Sequence, residues 1–558
     1  MSSTAKVIGA LFMLALMAAV PRRAPAQSGP QTTPAIVAAA AAAKTPACDG
    51  PVQANWDSIR ANYKVPAWFI DAKFGITMHW GLFSIPAYHN EWYEKYMYTS
   101  FSAWHTQNYG PPDKFGYKDF IPLFQAKSFD PDALAALVKA SGARYFMPTC
   151  EHHDGFSLWD SDINPFNAAK MGPKRDLIGE MAVAVRKQGL KFGVCNHSIE
   201  HYTFVNPTAG LANDTRDPAF ADFYWTNHND ANLQRFLEWW VAKSMELIDK
   251  YQLDILWYDN GVNGRNFDPL KEKVAAYYYN RAKQWGKEVT IDTKDSAFLA
   301  GSVLDFEKLH PRGPTQILKG IWDAEEPIGS TWGYVTANAT GGGAETFRSP
   351  QSVISELCEI LSMNGSLLLN LSPDGQGAVN QQQQTTLKAV GEWLAVNGEA
   401  VYGTHNWILA SEGAPAAARG GGGGAARAGR RGAGAATSTT PTAVAPATSP
   451  AQATPAVGVT YRFTVKDDNL YAIAQAWPGG TANIASLATG KAPNGKITSV
   501  TLLGNAGNLD FTQDAAGLHV KMPAQRPCNY AFTLKITGLK MNPPGAPQPS
   551  VMADLVNN

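Results

Sequence analysis

The 558-residue sequence predicts a (β/α) TIM-like barrel of the α/β class followed by a small C-terminal β-sandwich. Three observations predict it. Apolar strand-like runs alternate with amphipathic helical stretches through most of the chain. No GxGxxG follows any of those runs, which removes the usual nucleotide reading of alternating β and α units. A block of short β-like runs broken by turn residues closes the chain after a low-complexity stretch.

Taken in order, Lys6 precedes an apolar run from Val7 to Val20, and Ala24-Pro25-Ala26 then leads into Gln27. This pattern predicts a cleaved signal peptide over 1–26 and a secreted or periplasmic product. The run is too short for a confident transmembrane span, and no other stretch is apolar enough, so no membrane span is expected after cleavage. Residues 27–50, rich in Ala, Pro and Thr, predict a disordered lead-in. The barrel is expected over 51–404. Its candidate strands are Phe74–Trp80, Tyr145–His152, Lys191–Asn196, Asp254–Asp259, Glu288–Lys294, Val303–Glu307 and Ser366–Leu371. Helices are expected over 131–141, 175–188, 232–251, 268–285, 349–363 and 381–396, with Pro131 at one start and Gly142, Gly189 and Gly286 just past three ends. Residues 412–458, with the Gly420–Gly424 run, Arg427, Arg430, Arg431 and Thr/Pro/Ala repeats, predict a flexible linker or long insertion. Residues 459–558 hold the sandwich runs Tyr461–Val465, Leu470–Trp477, Ile497–Leu502, Leu518–Lys521 and Tyr530–Ile536.

Composition excludes several partners. Lys+Arg and Asp+Glu both number 47, so nothing points to nucleic acid or an anionic membrane surface. The five Cys (48, 150, 195, 358, 528) show no CxxC or Cys/His spacing, against a zinc site or a disulfide scaffold. Cys150 and Cys195 end two predicted strands and would pair only if those strands are neighbours; buried free thiols are the equal alternative. With no HExxH or facial-triad spacing, no metal and no cofactor is expected, and no GxSxG marks a serine hydrolase.

Barrel enzymes work at the C-terminal ends of their strands. Strand side chains alternate between faces, so the inward positions can be read off. Gly75, Thr77 and His79 share one face, as do Ile255, Trp257 and Asp259, and Val303, Asp305 and Glu307. One strand-end Asp is usually a turn or cap residue. Carboxylates and imidazoles ending several strands on one rim are harder to explain so, because burying them without partners is costly. Glu151-His152-His153-Asp154-Gly155 ends another strand. Adjacent His on a strand diverge and chelate poorly, so hydrogen bonding to a polyol suits them better than a metal.

At these residues the sequence resembles the retaining α-L-fucosidases of glycoside hydrolase family 29. The matching segments are Trp68-Phe69, Asp71 to Gly75 running into His79-Trp80-Gly81, Glu91-Trp92-Tyr93, His152 to Phe156, Asp254 to Asp259, Trp332-Gly333-Tyr334, Asn364-Gly365 through Leu369-Asn370, and Asn397 to Ala400. The resemblance implies hydrolysis of terminal α-L-fucose from a fucosylated oligosaccharide or glycoconjugate by double displacement, with Asp259 as nucleophile. It implies that His79, Glu91, Trp92, His152 and His153 hold the sugar hydroxyls and that Trp257 lines the pocket. Glu307 is the first choice for the acid/base and Glu325 its rival. Two departures stand out. Cys195 sits where many members carry Tyr, leaving Asn196 or His197 to replace it. Lys294 stands where some carry Arg. A non-catalytic fucose-binding protein on the same fold, or a glycosidase for another α-linked sugar, are the alternatives.

Overall fold

The computed structural model describes residues 29–294, 297–298, 301–336, 345–413, 458–491 and 495–541. Eight parallel strands close into a barrel in chain order. They are β1 (Phe74–Met78), β2 (Tyr145–Glu151), β3 (Lys191–Asn196), β4 (Ile255–Tyr258), β5 (Thr290–Lys294), β6 (Val303–Glu307), β7 (Trp322–Pro327) and β8 (Gly365–Leu371). β8 returns to β1, with Leu369 opposite Ile76. Seven of the strands are the expected runs. β7 is an addition: Trp-Asp-Ala-Glu-Glu-Pro carries three acids and shows no apolar pattern.

The predicted alternation holds. Phe74, Ile76, Met78, Phe192, Val194, Leu256 and Tyr258 lie in the core between sheet and helices. Tyr145, Met147, Cys195, Ile255, Trp257, Val303 and Leu368 form a separate cluster inside the barrel. Gly75 is inward too, and the space a side chain would need is taken by the Tyr145 ring, 2.1 Å from an ideal Cβ. Tyr145 cannot swing aside, because its hydroxyl donates to Asp323 Oδ2 at 2.8 Å. Gly75→Ala is therefore expected to destabilise the fold by about 1–3 kcal/mol through overpacking. Denaturant titration checks this, and an unchanged midpoint would show that the interior yields.

Two expectations are corrected. The lead-in 27–50 is not disordered as a whole: Pro34–Ala42 forms a helix. Alanine is the best helix former, and Ile36, Val37 and Ala40 are buried against the helices Asp230–Tyr251 and Asp268–Trp285. Lys273 Nζ then donates to the Ala41 and Ala43 carbonyls at 2.8 and 2.7 Å, tying down the helix end. Composition alone hides this apolar stripe. The second correction concerns Cys150 and Cys195. β2 and β3 are neighbours, but Cys150 joins the outer core and Cys195 the inner one, so the thiols sit on opposite faces. All five cysteines are free.

The C-terminal part contains β9 (His405–Glu412), β10 (Tyr461–Lys466), β11 (Asn469–Ala474), β12 (Thr481–Ile484), β13 (Gly495–Leu502), β14 (Phe511–Gln513), β15 (Leu518–Lys521) and β16 (Phe532–Leu539). A five-stranded sheet, β13-β16-β11-β10-β9, and a three-stranded sheet, β12-β15-β14, enclose one apolar core. β9 lies across the expected boundary between barrel and linker. It pairs antiparallel with β10, so the low-complexity stretch is an insertion between paired strands. Its residues 414–457 and the expected signal peptide 1–26 lie outside the described residues. The sandwich rests on the barrel helix Pro350–Ser362, where Arg462 meets Glu359 at 2.9 Å. No helix among the described residues is long and apolar enough to cross a membrane.

Candidate active site

The C-terminal strand ends bring most of the predicted side chains into one buried cluster. Asp259 follows β4 and is 7% exposed. Its Oδ1 accepts from Lys294 Nζ, at the end of β5, at 2.7 Å. Its Oδ2 lies 3.4 Å from His153 Nε2 and 3.7 Å from His197 Nε2. Burial by itself would push the Asp259 carboxyl up and the Lys294 ammonium down. The contact between them, with His153 beside the carboxyl, reverses both: Asp259 is held well below the usual carboxylate range and Lys294 well above its own.

Lys294 touches more than one acid. Glu307 Oε2 is 3.5 Å from its Nζ and Glu325 Oε2 is 4.0 Å away. The two glutamates are register partners on β6 and β7, yet their surroundings differ. Glu307 is half-buried and also pairs with Arg312 at 2.6 Å. Glu325 is 1% exposed, and its Oε1 finds no hydrogen-bond partner among the described residues. Burial pushes its carboxyl well up; Lys294 pulls it back, but Asp305, Asp259 and Glu307 add to the rise.

The imidazoles line the other side. His79 Nδ1 and Asn370 Oδ1 are 2.7 Å apart. Asn370 Nδ2 donates to the Trp332 carbonyl, so Oδ1 is the acceptor and His79 Nδ1 carries the proton. His152 packs 5.0 Å from the Phe83 ring and 4.9 Å from His197. His153 has Nδ1 at 3.1 Å from the His197 carbonyl and Nε2 toward Asp259, so both its nitrogens face oxygens. The turn that brings the His152 and His153 rings edge to face at 4.3 Å needs Gly155, at φ +70, where a Cβ would strike His201. Beneath it, Lys243 Nζ reaches Glu151 Oε1 at 2.5 Å, and Ser157 donates to the other oxygen at 2.6 Å.

Aromatic rings complete the walls. Trp257 is fully buried, 5.1 Å from the His197 ring, with Lys294 Nζ 5.0 Å from its centroid. Trp92 stands edge-on to His153 at 5.7 Å. Glu91 accepts from the Gly333 N–H at 3.2 Å, which anchors the loop carrying Trp332. Trp332 leans over His79 at 5.4 Å.

Every sequence-predicted site residue thus falls in one neighbourhood. Two residues gain weight that the sequence did not assign firmly. His197 is the residue just after β3 and lies in the site, whereas Cys195, where many members carry Tyr, is buried in the barrel interior below it. Trp332 comes from the loop after β7, and its nearness to His79 is not visible in local pattern.

Such an arrangement, a carboxylate paired with a fixed cation, a second buried acid and hydrogen-bonding imidazoles between flat apolar rings, suits covalent chemistry at a sugar carbon. Known proteins agree. A human plasma alpha-L-fucosidase is 29% identical over 507 residues, covering 87% of this chain and 92% of the relative. A mouse tissue alpha-L-fucosidase is 28% identical over 501 residues, covering 87% and 94%. The crystal structure of a Thermotoga maritima alpha-fucosidase in complex with fucose superposes with a TM-score of 0.63 at 25% identity, covering 87% of this chain and all of that one. Residues 452–537 match the alpha-L-fucosidase C-terminal domain. Residues 38–399 match the family profile of alpha-L-fucosidase itself, and the chain belongs to that family.

Proposed function

We propose that this chain removes terminal α-L-fucose from fucosylated glycans with retention of configuration, using Asp259 as nucleophile and Glu325 as acid/base. The observation that carries the reading is the Asp259–Lys294 contact of 2.7 Å at the rim of the barrel. It keeps a nucleophilic carboxylate ionised in a buried site, poised to bond to C1 of the sugar. The leaving oxygen takes its proton from an acid that must be neutral beforehand. Glu325 meets that need better than Glu307. Glu325 is buried among other acids, which push its carboxyl up, whereas Glu307 is half-buried and ion-paired with both Lys294 and Arg312. Both glutamates share the Lys294 ammonium with Asp259, which gathers the three carboxyls at one rim, as a two-carboxylate mechanism requires.

His79, His152, His153, His197 and Glu91 supply donors and acceptors for the hydroxyls, and Trp257, Trp92 and Trp332 the apolar walls. Export of the chain is supported by Lys6, the apolar run and Ala24-Pro25-Ala26.

Two experiments test this reading. NMR of an α-L-fucoside during turnover is expected to show α-fucose as the first product; β-fucose first would exclude double displacement. In Lys294→Met, the acid limb of the kcat/KM profile is expected to move to higher pH by about one to two units, because the cation that depresses Asp259 is gone. A limb that stays in place would take Asp259 ionisation out of Lys294's control.

A further inference from the structure

We propose that the imidazoles of His79, His152 and His197 form a binding site for a divalent transition-metal ion of the zinc class, and that filling it closes the pocket to sugar. The second half rests on the reading of this pocket as the sugar site; the first does not.

The three rings come from three successive strand ends, so no sequence motif joins them. One ligand nitrogen from each lies within 4.8 Å of the others. Zinc takes nitrogen at about 2.0–2.1 Å, which sets neighbouring ligand atoms roughly 3.3 Å apart, so modest ring tilts complete the triad. His79, His152 and His197 are 3%, 3% and 2% exposed. His79 is already oriented as metal-bound histidines are: one ring nitrogen gives its proton to the Asn370 amide oxygen and the other is left as a lone pair. The Nδ1 atoms of His152 and His197 are buried with no hydrogen-bond partner among the described residues. A metal requires neutral imidazole.

The surrounding charge permits a cation. Asp259 Oδ2, 3.7 Å from His197 Nε2, is placed to give the ion a fourth, anionic ligand. Lys294, on the far oxygen of that carboxylate, opposes the ion, and His153 faces the same oxygen as His197. The Lys294 ammonium and the crowding by His153 favour a reversible, inhibitory site over a permanent structural one. The adjacent pair His152-His153 does not diverge as a regular strand would make it: the chain turns after β2 and the two rings meet edge to face at 4.3 Å, yet the triad is completed by His79 and His197.

Cobalt titration of the metal-stripped full chain, without sugar, tests the site. The expected result is one cobalt per chain with the visible ligand-field bands of tetrahedral nitrogen coordination, displaced by zinc. Binding is expected to be at least tenfold weaker in His197→Ala and His152→Gln, with thermal melts confirming that both variants fold. L-fucose is expected to displace the metal, and zinc to inhibit p-nitrophenyl α-L-fucoside turnover competitively, with EDTA restoring it. Octahedral cobalt only, or tetrahedral binding indifferent to both variants, overturns the site. Cobalt retained under saturating fucose overturns the closure of the pocket. A chain that binds cobalt at the triad yet never turns over a fucoside refutes the glycosidase reading alone.

Discussion

Replacing Asp259 by alanine is expected to lower kcat on p-nitrophenyl α-L-fucoside by roughly four orders of magnitude, about 5–6 kcal/mol at about 1.36 kcal/mol per tenfold. The loss is large because the carboxylate is asked to form a bond, and no neighbour can take its place. Glu325 lies 4.0 Å from Lys294, but its raised carboxyl is the proposed proton donor, not a nucleophile. Glu307 is held by Arg312. The fold is expected to survive, since Lys294 keeps Glu307 as an ion-pair partner once Asp259 is gone. Added azide should restore turnover of the activated substrate and yield β-fucosyl azide, the inverted product, because the small anion enters from the face the carboxylate vacated. Peptide mapping after trapping with a 2-fluoro fucosyl fluoride should place the adduct on residue 259. An adduct on any other acid, or a variant within tenfold of wild type, would move the nucleophile elsewhere.

The second large effect is selective. Glu325→Ala is expected to reduce kcat/KM on natural fucosyl linkages by about 10²–10⁴-fold, the usual worth of a positioned proton donor. Turnover of p-nitrophenyl α-L-fucoside should suffer far less in its first step, since that leaving group departs without a proton. Azide should then accelerate breakdown of the glycosyl-enzyme and give the α-azide, with retention. The pH profile carries a separate signature. Wild-type kcat/KM is expected to fall on the alkaline side as the Glu325 carboxyl, raised by burial, loses its proton; in the variant that limb should vanish. Should Glu307→Ala show this pattern while Glu325→Ala leaves natural substrates untouched, the roles exchange.

The frame of the site is legible in the amino-acid order, and its failures have physical causes. Five of the seven candidate barrel strands end their runs with a polar residue at or just past the observed end, namely His152, Asn196, Asp259, Lys294 and Glu307, and alternation turns Asp259, Asp305 and Glu307 inward. Apolar periodicity finds strands whose inner face packs hydrophobically. It passes over Trp322–Pro327, whose inner face presents Asp323 and Glu325 to the barrel interior. The rival acid/base was therefore named by motif without a strand to hold it. His197 is similar: its role depends on where the chain turns after β3, which alternation does not reach. Likewise, the alanine-rich lead-in is a helix only because two barrel helices offer Ile36 and Val37 a place to be buried.

The pairing of β9 with β10 bears on how this polypeptide comes apart. A protease that nicks the chain anywhere in 414–457 does not part a catalytic half from an accessory half. The first fragment keeps β9, whose ladder partner β10 belongs to the second. The two pieces stay joined by main-chain hydrogen bonds, as a loop-nicked hairpin does, and they separate only when that sheet edge is unzipped.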